Sequence, residues 1–270
     1  MTASRDQGSS LLRIGKISYL NFYPIFYSLE QSARCQDVKF VPGVPSTLNQ
    51  MLRLGIIDVS PSSSIEFLRA PRFYRLIEGH SLSAFGTVGS ILLFSKLPIA
   101  QLHRQVILTS DQSETSIALL DILLKKYFRL ACLFLASSLP LQKGLESYPA
   151  YLLIGDDALK AVNCSHDLYV YDLGEIWKTF TDLPFVYALW IVNQKPEKTG
   201  LTERFGQDLD KAKDFAINNL ETIALSLKNS SFLSQEALIA YWRRMSYDLT
   251  HLHQQGLERF RLLAHETGWL

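Results

Sequence analysis

Between residues 12 and 95 short apolar runs alternate with amphipathic segments. The runs at 12–17, 38–41, 56–60, 73–77 and 88–95 have strand length and predict strands. The segments at 24–30, 45–54 and 64–69 predict helices. Pro24 and Pro45 open two of them, where a missing N–H costs nothing, and Gly55 ends the second. Strands separated by helices cannot pair through tight hairpins, so the pattern dictates a mostly parallel sheet covered by helices. Such sheets bind ligands beyond the carboxyl ends of their strands.

A second unit of the same kind follows. Strands are predicted at 106–109, 130–135, 151–154, 169–171 and 185–192, with helices at 116–128 and 157–162. From about Thr202 strand signals vanish, and amphipathic helices are predicted at 202–219, 221–228, 234–244 and 247–266. The last contains Gly256, which costs a helix interior about 1 kcal/mol relative to Ala. Two α/β units and a helical tail predict two lobes. The chain would cross near 95–98 and return near 192–196, so that residues 1–96 and 194–270 form one lobe and 97–193 the other. Two crossovers make a hinge with a ligand cleft between the lobes. One continuous doubly wound sheet fits the same alternation.

Composition narrows the function. The chain has 270 residues, is 47% hydrophobic and carries a formal net charge of +1 without a long basic block. That argues against a nucleic-acid-binding surface. Cys35, Cys132 and Cys164 form neither a C-x-x-C nor a zinc spacing. No apolar run approaches the roughly 18 residues that span a bilayer. Residues 1–10 are polar and lack the apolar stretch of an export signal, so a cytoplasmic protein with no membrane partner is expected.

Polar residues collect where strands give way to helices. Ser18 and Asn21 follow the first strand; Asn there either contacts a ligand or satisfies local backbone. Ser62, Ser63 and Ser64 open a helix and offer a carboxylate cradle or an ordinary N-cap. Gly86 makes a turn into an apolar strand. On it Ser90 shares a face with Val88 and Leu92 and needs a partner, either a ligand oxygen or a backbone carbonyl. Thr115 and Ser116 begin the helix after 106–109, where an anion is favoured, with capping as the alternative. Gly155 and Asp156 end another strand; the acid is a base, a ligand contact or a cap. Phe185 and Tyr187 suit one wall of a slot for a flat ring, or a strand core.

These segments carry a family resemblance. Ser18-Tyr19-Leu20-Asn21-Phe22-Tyr23-Pro24 resembles the S-Y-L-N-x-x-P signature of the menaquinone-biosynthesis chorismate dehydratases. Ser63-Ser64-Ile65-Glu66-Phe67 resembles their S-S-I-E-[YF], and residues 86–95 their G-x-V-x-S-[IV]-x-L-F-S. Residues 153–159 match L-I-G-D-x-A-L. Residues 172–177 and 181–190 follow D-L-G-x-x-W and T-G-L-P-F-V-[FY]-A-x-W, with Asp182 in place of the usual Gly. Ser113-Glu114-Thr115-Ser116 departs from the usual S-R-T-S by an acid for a base. The ordered motifs span residues 13–191.

The resemblance implies a two-lobed α/β fold of the periplasmic-binding-protein-like type II class, with a hinge and a C-terminal helical segment. It implies conversion of chorismate to 3-[(1-carboxyvinyl)oxy]benzoate and water, with no metal or organic cofactor. It further implies that Asn21 and Ser90 act in catalysis. Ser18, Ser62, Ser63, Gly86, Thr115, Ser116, Gly155, Asp156, Phe185 and Tyr187 would bind substrate. None of the six His lies in these motifs, which leaves Asp156 and Glu66 as the acidic options for a base. A sister family, the dihydroxynaphthoate synthases, opens on a Cys-Pro-Asn type motif instead. A non-catalytic solute-binding protein of the same fold would be expected to carry an export signal.

Overall fold

The computed structural model describes residues 11–31, 37–162, 167–194 and 198–270; Cys35, Cys164, His166 and the return point at 195–196 lie outside them. The first unit runs β1 (Leu12–Ile17), α1 (Tyr23–Gln31), β2 (Val38–Gly43), α2 (Pro45–Arg53), β3 (Val59–Ser63), α3 (Ser64–Arg69) and β4 (Tyr74–Ala84). The second runs β5 (Ile91–Ser95), β6 (Val106–Thr109), α4 (Glu114–Ile122), β7 (Leu133–Ala136), α5 (Leu141–Ser147), β8 (Ala150–Ile154), α6 (Gly155–Val162), β9 (Tyr169–Asp172) and α7 (Leu173–Thr181). The chain then returns through β10 (Phe185–Asn193), α8 (Thr199–Asn218), α9 (Leu220–Ser226), α10 (Gln235–Trp242), β11 (Ser246–Asp248) and α11 (His251–Thr267).

Two sheets result, ordered β11-β4-β10-β3-β1-β2 and β7-β6-β8-β5-β9. This settles the alternation in favour of two lobes over one continuous sheet. Strands β1, β2 and β3 are parallel, as the helical crossovers require, and so are β6, β7 and β8. The strands that pass between lobes run antiparallel to their neighbours.

The crossing points differ from those expected at 95–98 and 192–196. β5 belongs to the second sheet, paired with β8 and β9, and β10 to the first, paired with β3 and β4. The chain therefore changes sheets at 85–90 and again between 172 and 185. Apolar character could not reveal this, because β5 and β10 are buried in whichever sheet takes them. β4 also runs to Ala84, past the expected end at 77. Its second half contains Gly79, His80, Ser81 and Ser83 and has no strand pattern of its own. It is extended because β10 pairs one edge and β11 the other. α5, α7 and β11 were not expected from the sequence.

Two large apolar clusters hold the lobes. One packs Ile14, Phe26, Trp190 and Phe205 around the first sheet. The other gathers Leu119, Trp177, Phe185 and Phe260, with Phe185 edge-on to Trp177 at 5.1 Å and to Phe260 at 4.9 Å. The position of Gly256 in α11 now has a cause. A Cβ there would lie 2.0 Å from the Pro184 carbonyl oxygen, so only Gly lets the helix approach the start of β10.

Candidate active site

The turn after β1 is held from three sides. Leu20 N–H donates to Asp156 Oδ1 at 3.1 Å, so the second lobe grips the first lobe's turn. Trp242 Nε1–H donates to the Leu20 carbonyl at 2.7 Å, and the Tyr247 hydroxyl donates to the Asn21 carbonyl at 2.8 Å. With its backbone fixed, Asn21 projects a half-buried amide whose Oδ1 is buried without a hydrogen-bond partner among the described residues.

This amide faces a small cavity of about 50 Å³ between the sheets. Asn21, Tyr19, Ser63, Ser90, Ser116 and Tyr187 give it polar groups, and Ile17, Phe22, Leu82, Ile91 and Ile154 give it apolar wall. Among the described residues no Lys, Arg or His lines it, and no carboxylate does. Among the same residues no group of three or more His, Cys, Asp or Glu is arranged to hold a metal ion.

Ser90 sits where the chain enters the second lobe. Gly89 takes φ +78°, open to Gly at little cost. The Asp172 carboxylate accepts from Val88 N at 3.1 Å and Gly89 N at 2.6 Å, and also from Gly174 N and Glu175 N. Burial raises the Asp172 pKa, and these N–H groups oppose the rise. The Ser90 carbonyl accepts from Gly155 N at 2.7 Å. Its Oγ accepts from the Tyr241 hydroxyl at 2.8 Å.

The remaining wall is built from short polar links. Ser63 Oγ accepts from Asn49 Nδ2 at 2.8 Å, and Ser116 Oγ lies 3.1 Å from Ser113 Oγ. The Tyr19 hydroxyl donates to Gln112 Oε1 and its ring lies over Gly155, whose φ of +59° and missing Cβ make room. The Tyr187 hydroxyl is buried and has no hydrogen-bond partner among the described residues. Burial raises the pKa of Tyr187 and of Tyr241; the carboxylate of Asp172 adds to it, while the Ser90 hydrogen bond opposes it at Tyr241. Both phenols therefore stay protonated, as donors, through the neutral range.

Of the residues singled out in the sequence, Asn21, Ser63, Ser90, Ser116, Gly155 and Tyr187 meet at this cavity. The others lie elsewhere. Ser18 is exposed, outside the lining. Ser62 is one residue from Ser63 on β3, so the pleat turns it to the opposite face, opposite Leu189. Gly86 packs in the crossover turn against Glu175 and Lys178. Thr115 Oγ1 accepts from Ile65 N at 3.1 Å, which ties α4 to the start of α3. Asp156 is occupied with Leu20, and Phe185 is core. Glu66, the other acidic option, is buried against the Tyr74 hydroxyl at 2.7 Å and Arg53 at 3.5 Å, away from the cavity.

Both departures from the family pattern are accommodated. Glu114 is on the surface and accepts a two-pronged hydrogen bond from Arg69 at 2.6 and 2.9 Å. Asp182 takes the left-handed conformation, φ +50°, at the end of α7. The sequence reading missed Tyr241, Trp242 and Tyr247 as determinants of the site. No local motif marks them, because their partners are about 150 to 226 positions away in the chain.

Residues 12–266 match the model of a family described as menaquinone biosynthesis. The chain is 28% identical, over 92% of its length and 93% of the other, to a chorismate dehydratase of Thermus thermophilus. Among solved structures, a protein of Archaeoglobus fulgidus superposes with a TM-score of 0.80 at 17% identity, covering 98% of this chain and all (100%) of that one. The alkanesulfonate-binding protein of Xanthomonas axonopodis pv. citri bound to MOPS superposes at 0.70 with 15% identity, covering 97% and 94%. A Candida albicans protein described as having the generic periplasmic binding protein fold reaches 0.59 at 10% identity, covering 95% and 90%. These structural likenesses establish the fold as periplasmic-binding-protein-like. Among the described residues no helix is long and apolar enough to cross a membrane.

Proposed function

The chain belongs to the menaquinone-biosynthesis family, and on that premise we propose that it is a cytoplasmic chorismate dehydratase, making 3-[(1-carboxyvinyl)oxy]benzoate and water at the head of the futalosine route. The observation that carries the reading is a cavity lined by neutral polar groups, with Asn21 Oδ1 and the Tyr187 hydroxyl buried and unpartnered, and with no acid or base in its wall, among the described residues. Buried polar groups without partners cost free energy unless a ligand supplies them.

Chorismate fits these demands. Its C4 hydroxyl can donate to an acceptor such as Asn21 Oδ1, and its two carboxylates accept from hydroxyls and amide N–H groups. The reaction breaks the C3–H and C4–O bonds. The C1 carboxylate, conjugated through the ring diene, makes the C3 proton acidic. The substrate's enolpyruvyl carboxylate takes that proton as an intramolecular base of high effective molarity. Such a base needs no carboxylate or imidazole in the wall, and none is present there among the described residues. Electrons from the C3–H bond enter the ring, hydroxide departs from C4, and the proton held by the enolpyruvyl carboxyl passes to it, giving water and restoring the carboxylate. Aromatisation drives the step.

In this mechanism the Asn21 amide orients the enolpyruvyl carboxylate, and Ser90 hydrogen-bonds the departing oxygen. Ser63, Ser116 and Tyr187 hold the anionic groups by neutral donation, which stabilises negative charge between the lobes. The two lobes close over the ring. The test is direct. Purified protein is incubated with chorismate and followed by mass and ultraviolet absorbance. Loss of one water with growth of an aromatic band is expected; binding of chorismate without turnover would make the protein a carrier and overturn the proposal.

A further inference from the structure

We propose that Tyr241 is a positioning residue that fixes Ser90 as a one-directional hydrogen-bond donor to the departing oxygen; this rests on the dehydratase reading above. Tyr241 lies on α10, in the segment with no motif resemblance, yet its hydroxyl reaches across the lobes to Ser90 Oγ at 2.8 Å. Both residues are buried, Tyr241 at 3% and Ser90 at 1% exposure.

The argument is one of hydrogen-bond capacity. A serine hydroxyl has one hydrogen and two lone pairs. The Tyr241 phenol is a donor here, so one lone pair of Ser90 Oγ is taken. Ser90's own hydrogen cannot point at the phenol while the phenol's hydrogen points at it. The Ser90 carbonyl is already engaged by Gly155 N at 2.7 Å. The hydroxyl also lines the cavity. Its hydrogen is thus left for the substrate, in an orientation set before substrate arrives. A free rotor would instead spread over three staggered positions. Catalytic donors aimed in advance at developing charge gain most of their effect from that preorganisation.

Two neighbours make the same use of this segment. Trp242 and Tyr247 donate to the carbonyls of Leu20 and Asn21 at 2.7 and 2.8 Å. Residues 241–247 thereby support both groups assigned to the reaction, Ser90 through its hydroxyl and Asn21 through its backbone.

The experiment is a double-mutant cycle on chorismate turnover with Tyr241→Phe, Ser90→Ala and the double variant. Phe keeps the ring and its packing and removes only the donor. Tyr241→Phe is expected to lower kcat about tenfold or more while KM moves less than about twofold. In the Ser90→Ala background it should change kcat less than about twofold, because the group it positions is gone. A packing role would move thermal stability, or KM and kcat together, and would add to the Ser90→Ala loss. Additive losses, or wild-type kcat in Tyr241→Phe, overturn the role of Tyr241. A wild-type protein that does not dehydrate chorismate overturns the functional reading itself, and this role with it.

Discussion

Asp156 separates a protein base from a substrate base. Its Oδ1 accepts from Leu20 N at 3.1 Å, and it does not line the cavity. An Asn at this position keeps an acceptor oxygen for Leu20, and an Ala does not. Asp156→Ala leaves a buried N–H unpaired, at a cost of about 1–3 kcal/mol. With an unfolding entropy of about 2.1 cal/mol/K per residue over 270 residues, that is a Tm loss of about 2–5 °C. It also frees the turn that aims Asn21, so kcat should fall by about 10²-fold. Asp156→Asn should keep kcat within about tenfold. pH supplies a second readout. Burial raises the Asp156 pKa, against the opposing Leu20 N–H and Lys160. A carboxyl with a raised folded-state pKa holds its proton more tightly in the folded chain than in the unfolded one. Its contribution therefore makes stability fall as pH climbs from the ordinary carboxyl range through the raised value. Asp156→Asn lacks this term, so its Tm should gain on wild type over that window and then level off. Steady-state kinetics with thermal melts at several pH values measure all of this. A kcat loss of about 10²–10⁴ in Asp156→Asn at unchanged Tm would make Asp156 the base and refute the argument.

Asn21→Ala should lower turnover by about 10²-fold with no loss of Tm, since its Oδ1 has no partner to lose among the described residues; a large drop in Tm with near-normal kcat would reverse its role. Thr115→Ala and Ser116→Ala should split. The first unpairs Ile65 N and lowers stability by about 1–3 kcal/mol with KM unchanged, and the second raises KM about tenfold at unchanged Tm. Gly256→Ala should destabilise, although Gly to Ala in a helix ordinarily gains about 1 kcal/mol. The new Cβ meets a backbone oxygen at 2.0 Å, and overpacking of that kind costs about 1–3 kcal/mol or more, so a higher Tm in chemical or thermal melts would show that α11 can move away from β10. A chorismate analogue with an amide in place of the enolpyruvyl carboxylate should not be dehydrated even at saturation, as product analysis by mass would record; efficient turnover would end the intramolecular-base mechanism.

Much of the site was legible locally. The helix Ser64–Arg69 and the strand Val106–Thr109 have the bounds their apolar pattern implies, because each signal is complete within a few residues. Asn21, Ser63, Ser90, Gly155 and Tyr187 stand at strand ends or on strand faces and Ser116 in the first turn of a helix, and such positions follow from chain geometry. Ser62, Thr115 and Phe185 were not separable from them by sequence. Whether a hydroxyl at a helix start meets a ligand or a backbone N–H depends on which element lies opposite, and for Thr115 that is Ile65, 50 positions away.

Secondary-structure alternation, the change to helices near Thr202 and the residues at each strand end are thus properties of the sequence by itself, since they depend on local periodicity and turn chemistry. The tertiary structure decided which sheet receives β5 and β10, why β4 continues to Ala84, and which donors aim Ser90 and Asn21. Those outcomes depend on pairing between segments as far apart as Asn21 and Tyr247. A contact of that separation is paid for by closing the whole intervening loop, and it forms only when the packed lobes bring both ends together.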